Sequence, residues 1–511
     1  MRINSAIILL LGALAAFASA LPIDAAVGTH GALAVLGVVL AMSFGRAERR
    51  AGLRTRLVSL AAIPAVALGA GAVGALLRTV PPLGAALFVA GLAGAIWLRR
   101  FGPRGALAGR LLTLPLIAML VVPVPVLVPP GRPPWTVALG AAVVALLAAA
   151  WATALPLAAT RLRRPPHEPH EPHGPALGVP EPAPVTRAST LRPIPSTRLA
   201  VQMAVALAAA FLLGHLVSPA HGTWAVLTAF LVGSGNRGRG DVVWKGVLRL
   251  AGAAGGTLAA TLLGQAFAPG DPLAIAAIFA LLGVAAWLRE YSYAYWAAGV
   301  TGALAILYAY YGEAGPAALG ARLIGILVGA ILAVGAAWFV LPIRTSDVAR
   351  RRTADALAAL SDLLPALHTD RPAVLAAHAR FHQAVEGLNQ LAPPLRALRA
   401  TKAGPAALAD AIDALNACAA PLETLLDAPP GLFGRAPLRR DVGAARSSIG
   451  GVRRTLAGRP EPDATATPPR DPSRTDSPAE TCRESAALAA LGAHLETVRV
   501  VWSRSPRRRT P

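Results

Sequence analysis

The sequence predicts an all-α polytopic membrane protein: two parallel six-helix transmembrane repeats, twelve helices, followed by a C-terminal soluble helical bundle. Three observations carry this reading. The chain has 511 residues, of which 55% are hydrophobic and 14% charged; a soluble domain carries about 25% charged residues, so most of this surface is suited to lipid. Low-charge apolar runs recur with charges at their borders, and ~30 Å of hydrocarbon needs a helix of roughly 17–25 residues. The basic residues are concentrated in every second loop, as the positive-inside rule requires of a multi-pass chain.

The first repeat, 1–160, has apolar runs at 5–23, 29–45, 57–77, 80–98, 106–128 and 135–158. Its opening, MRINSAIILLLGALAAFASALP, has the Arg2, apolar core and Ala18-Ser19-Ala20 of a secretory signal. Cleavage is one reading of residues 1–20. Retention as the first transmembrane helix is favoured, because this stretch is the partner of Val201–Val217 in the second repeat. Arg46, Arg49, Arg50, Arg54 and Arg56 fill one loop; Arg99, Arg100, Arg104 and Arg110 fill another; Arg161, Arg163 and Arg164 close the block. The intervening loops hold Arg78, Arg132 and the acid Asp24.

Residues 161–196 contain PPHEPHEPHGP, a composition that makes a solvated, semi-extended cytoplasmic linker. His167, His170 and His173 suggest a soft-metal site or nothing beyond the linker; the ordering cost of a Pro-rich chain favours the plain linker.

The second repeat, 197–346, has runs at 198–217, 222–235, 247–268, 272–289, 293–311 and 321–342. Arg237, Arg239, Lys245, Arg289, Arg344 and Arg350–Arg352 lie on one side, and Asp271, Glu313 and Arg322 on the other. Both repeats therefore have cytoplasmic N- and C-termini. The repeats also match by sequence. His30-Gly31 aligns with His221-Gly222, Trp97-Leu98-Arg99 with Trp287-Leu288-Arg289, and Trp151 and Pro156 with Trp338 and Pro342. That order implies duplication of a six-helix unit about an axis along the membrane normal.

Beyond Arg352, apolar residues return at helical spacing in a charged background: Leu357, Leu360, Leu364, Leu367, Leu375, Phe381, Val385 and Leu388. This predicts a cytoplasmic helical bundle at 347–458. Residues 459–480 read as a disordered linker, and 481–511 as a last helix with a basic tail, Arg507–Arg509, placed to touch anionic lipid or water. Cys418 and Cys482 form no metal or redox motif. The net charge of +22 is a topology signal in loops, so no nucleic acid is expected as a partner.

Paired short helices are the best sequence pointer to a transporter's central site. The second helices of both repeats are short, and their N-termini carry His30 and His221. Such termini favour anions, and histidine titrates near neutral pH, so proton coupling is one reading and helix capping the other. Arg249 precedes Gly252, Gly255 and Gly256; the small residues suit close helix packing, and the arginine either snorkels or faces an aqueous path. Arg322 opens the last helix with the same two readings. Tyr291, Tyr293, Tyr295, Trp296, Tyr308, Tyr310 and Tyr311 suggest a substrate cage or interfacial belts, the belts being the simpler account. Acids are almost absent from the spans, which favours an anionic or neutral substrate.

At these residues the second repeat resembles the fusaric acid resistance protein-like family of bacterial inner-membrane proteins, which includes aromatic carboxylic acid exporters and is related to plant aluminium-activated malate channels. The resemblance is carried by Trp224 within the TWAVLTAF run, by Arg249-x-x-Gly252-x-x-x-Gly256, and by Arg322 with the closing Leu341-Pro342 and its basic cluster. Ala253 stands where the family usually has threonine. The resemblance implies a bundle of six plus six helices, cytosolic helices, and transport of organic anions or aromatic acids.

The function expected is efflux of small organic anions or aromatic carboxylic acids across the plasma (inner) membrane of a bacterium. The candidate pathway is His30, His221, Trp224, Arg249 and Arg322. A passive organic-anion channel and a membrane scaffold with a partner-binding cytosolic domain are the alternatives. The expected partners are the lipid bilayer, a small organic anion, and a second copy of the chain or an accessory efflux subunit. No cofactor or metal is implied, and no nucleophile–base pair that would mark an enzyme is present.

Overall fold

A computed structural model describes residues 2–47, 53–121, 134–162, 194–217, 222–264, 267–312, 316–367, 371–400, 407–428, 432–459 and 482–504. Every regular element among them is helical. His167, His170, His173, His221 and Arg507–Arg509 lie outside the described residues. The chain divides into two compact units, one of 1–236 with 242–342 and one of 237–241 with 343–511.

The first unit begins with α1 (Arg2–Val27), α2 (Ala32–Ala47), α3 (Leu53–Thr79), α4 (Pro81–Trp97), α5 (Gly102–Val121) and α6 (Pro134–Leu162). It continues with α7 (Pro195–Val217), α8 (Thr223–Gly233), α9 (Arg239–Gly264), α10 (Pro272–Leu288), α11 (Tyr293–Tyr310) and α12 (Pro316–Phe339). Helices α1, α3, α4, α6, α7 and α12 are long and apolar enough to cross a membrane; α2, α8 and α10 contain shorter apolar stretches. The punctuation is local chemistry. Asp271 caps α10 by accepting from Leu273 N at 2.8 Å, with Pro272 in the first turn, and Ser292 caps α11 by accepting from Ala294 N.

Large exposed apolar side chains occur throughout this unit, Leu212, Leu262 and Phe339 among them, whereas Leu375 is the one such residue described in the second unit. An apolar face of that extent on a folded helical unit is solvated by hydrocarbon. The protein is therefore a multi-pass membrane protein.

The helices pack in a recurring pattern. α1, α2 and α6 contact one another, as do α7, α8 and α12, while α4 packs on α7 and α10 on α1. Trp97 meets Phe101 edge-on at 5.2 Å, and Trp287 meets Tyr291 edge-on at 6.4 Å, the same spacing four residues apart. Helix α1 is seated by Ala13, Ala16 and Ala20, all fully or almost fully buried, and Ser19 Oγ accepts from Trp151 Nε1 of α6 at 2.9 Å.

The second unit contains α13 (Thr345–Ala366), α14 (Arg371–Asn389), α15 (Ala392–Ala400), α16 (Ala407–Ala417), α17 (Ala419–Asp427), α18 (Ala436–Ala457) and α19 (Cys482–Arg504) around one core. One detail differs from the sequence reading. Leu375 is exposed and its neighbour Val374 is buried, because Val374, Ala377, Phe381, Val385 and Leu388 share one face of α14 and Leu375 sits about 100° away. Helix α19 contributes to the same core as α13 through Leu488, Leu491, Leu495, Val498 and Trp502.

Burial pushes the Cys418 thiol up to about 12, so almost no thiolate exists at neutral pH. In a Cys482→Ala background, alkylation of Cys418 at pH 7.5 should be more than tenfold slower than that of an unfolded control. Equal rates, measured by mass spectrometry, would show that the core is open.

Candidate functional site

The first unit contains an open cavity of about 1040 Å³ lined from α1, α2 and α5 and from α8, α9, α10 and α11. Its position follows from short and close-packed helices. Helix α8 has 11 residues, about 16 Å, half of a membrane span. It begins where Gly214 and Gly222 meet: a Cβ on Gly214 would lie 2.8 Å from Gly222 O. Gly329 of α12 then packs on the Ala225 carbonyl, so α8 is held between α7 and α12 and stops short at the cavity.

Helices α9 and α11 are brought together by glycine. A Cβ on Gly252 would lie 2.4 Å from Ala294 O, and one on Gly256 would lie 2.2 Å from Ala298 O. The ascending pairs make the two helices parallel. Gly255 has no neighbour within 4 Å of such a Cβ; close packing therefore rests on Gly252 and Gly256, which are four residues apart on one face.

This approach turns Arg249 inward. Its side chain is 1% exposed and lines the cavity. Nη1 donates to Thr301 Oγ1 at 3.5 Å, at the outer limit of a hydrogen bond, while Nε and Nη2 are buried with no partner. Thr301 is mid-way along α11, so the guanidinium sits at mid-depth of the bundle and does not snorkel to a surface. A guanidinium stays protonated under all ordinary conditions, and burying it with open donors costs several kcal/mol unless an anion meets it.

Three more cations line the same cavity: Arg110 of α5, Lys245 one turn before Arg249, and Arg289 at the end of α10. Lys245 Nζ also donates to Ser234 O and Gly235 O, where α8 ends, and the Arg289 guanidinium lies 5.7 Å from the Trp296 ring centre. No acidic side chain is among the described lining residues. The aromatic cluster divides by helical phase: Tyr293 and Trp296 line the cavity, and Tyr291 and Tyr295 are exposed as a belt would be.

The other sequence-selected residues lie elsewhere. The Arg322 guanidinium sits 4.0 Å from the Tyr308 ring centre and 5.6 Å from that of Trp224, forming a buried cation–π cluster outside the cavity lining. His30 is exposed in a left-handed conformation, φ 48°. Beside it, Asp24 accepts from Thr29 Oγ1 at 2.6 Å, Gly31 N at 2.5 Å and Leu33 N at 2.9 Å. The N–H groups that would attract an anion at the start of α2 are thus taken by the protein's own carboxylate. Arg110, Lys245 and Arg289 were legible in the sequence as topology charges, but nothing in their spacing places them on one cavity.

A multi-pass helical bundle around a cavity with cations and no acid among its described lining residues has the architecture expected of a membrane transport protein. Residues 205–336, from α7 to α12, match the fusaric acid resistance protein-like family, a transport family and not an enzymatic one, which bears out the resemblance read from Trp224, Arg249 and Arg322. No curated protein matches the chain.

Proposed function

We propose that this protein exports small organic anions, aromatic carboxylates in particular, across a bacterial plasma membrane. The observation that carries the reading is Arg249: a buried cation lining a large cavity that has no acidic side chain among its described lining residues. A guanidinium is the side chain best matched to a carboxylate, which it can hold in a bidentate pair. Tyr293, Trp296, Phe230 and Phe279 supply aromatic walls. The matching triads α1/α2/α6 and α7/α8/α12, with the reciprocal pairs α1/α10 and α4/α7, support two duplicated six-helix repeats related by an in-bundle axis. With the basic loops cytoplasmic, Arg110, Lys245 and Arg289 gather anions at the inner end, and Arg249 holds them at mid-depth.

Flux of labelled acids in sealed vesicles tests the proposal. Accumulation of benzoate against its gradient, driven by an imposed proton gradient, is the expected result. Equilibration that never exceeds the gradient would replace the exporter with a passive channel, which the same cations would also serve. Proton coupling through His30 and His221 predicts that the double alanine variant loses the pH dependence of flux; an unchanged pH profile removes both from the mechanism.

A further inference from the structure

The cavity is larger and more polarised than a single-ring acid requires. Its volume of about 1040 Å³ lies at the upper limit of small-molecule pockets, ~1,000 Å³. Its cations are grouped. Lys245 and Arg249 are in the first half of α9, and Arg289 follows α10 just before Tyr293 begins α11. Helices α10 and α11 are packed neighbours joined by a short turn, so Ile275 and Leu307 lie together at the opposite end. That end is apolar: Ile275, Phe279, Leu304 and Leu307 line it, and Phe279 meets Phe17 of α1 edge-on at 5.4 Å. From Thr301, which Arg249 contacts, to Leu307 is six residues of helix, on the order of 9 Å.

We infer that the cavity takes an amphiphilic monocarboxylate, its carboxylate on Arg249 and an alkyl or aryl-alkyl tail of about six to eight carbons along the Leu304–Leu307 end. The inference rests on the organic-anion reading of the same cavity. A head group alone would leave the apolar end without a partner. A neutral amphiphile would leave the cationic end, with Lys245, Arg249 and Arg289 and no acid among the described lining residues, without a counter-charge. The molecule that answers both has one anionic end and one apolar end.

The test is calorimetric binding of butyrate, hexanoate, octanoate, decanoate, benzoate and neutral octanamide to the full chain in phosphatidylcholine nanodiscs, with empty discs subtracted for partitioning. Affinity should rise roughly two- to fourfold per methylene from butyrate to octanoate and level off by decanoate. Octanamide should bind at least tenfold more weakly than octanoate. Ala303→Leu, which adds volume to the lining beside Leu304, should weaken octanoate and spare butyrate. Equal affinity for butyrate, benzoate and octanoate would overturn the inference and leave the anion reading standing. Octanamide binding as tightly as octanoate would overturn the assignment of the head group to Arg249. Should no carboxylate bind, or should Arg249→Gln bind all of them as the wild type does, the inference and the anion reading both fall. The chain-length series needs no variant, so misfolding of a mutant cannot obscure it.

Discussion

Arg249→Met should abolish most organic-anion flux while leaving the protein at least as heat-stable as the wild type. The two halves of this result have one cause. Hydrogen bonds to a charged group contribute ~1.5–3 kcal/mol each, so the loss of even one of them should weaken anion binding roughly 10- to 150-fold. In the empty cavity, however, the same group is a liability, because Nε and Nη2 are desolvated without partners. Methionine fills a similar space without that cost, as apolar replacements of buried charges often do. Vesicle flux and the melting temperature of purified protein would be measured together. A large drop in melting temperature would make Arg249 a structural residue, and unchanged flux would take it off the pathway. Arg249→Lys should retain part of the flux, since it keeps the charge but not the fork.

Gly256→Val should be the most damaging single change on α9, and Gly255→Val one of the least. A Cβ on Gly256 would lie 2.2 Å from Ala298 O and 2.9 Å from Ala298 C; these are backbone atoms, which cannot swing aside. The helices must part, and overpacking of this kind costs ~1–3 kcal/mol or more. At Gly255 the added side chain meets open space. Monodisperse yield after extraction and the melting temperature would separate the two: a fall of several degrees for Gly256→Val and little change for Gly255→Val. Equal effects at both positions would mean that α9 and α11 do not meet through Gly252 and Gly256. Because this contact orients Arg249, residual Gly256→Val protein should also transport poorly.

Much of the helical layout could be read directly from the chain. Among the described residues each apolar run expected in the first 346 contains a helix, because an apolar helix satisfies its own backbone hydrogen bonds and its ends are marked by local groups such as Asp271-Pro272 and Ser292. The short α8 was visible as Thr223–Gly233 followed by Ser234-Gly235, and Arg249 with Gly252 and Gly256 carried the family resemblance. In the second unit, period alone placed Leu357, Leu360 and Phe381 in the core and missed Val374 by one residue, since neighbouring apolar residues leave the phase of a helix undecided.

The sequence by itself determined that this is a helical membrane protein, roughly where its helices lie, and which segment resembles the fusaric acid resistance protein-like family, because hydropathy, helix punctuation and motif spacing act over a few turns. Tertiary structure alone decided what those residues face. It placed Arg110, Lys245, Arg249 and Arg289 on one cavity, set Arg322 apart with Trp224 and Tyr308, gave the start of α2 to Asp24, and separated Gly255 from Gly252 and Gly256. These outcomes depend on how helices distant in the chain rotate and pack against one another. A helix carries no local mark of which face it will turn to a neighbour that begins fifty or two hundred residues away.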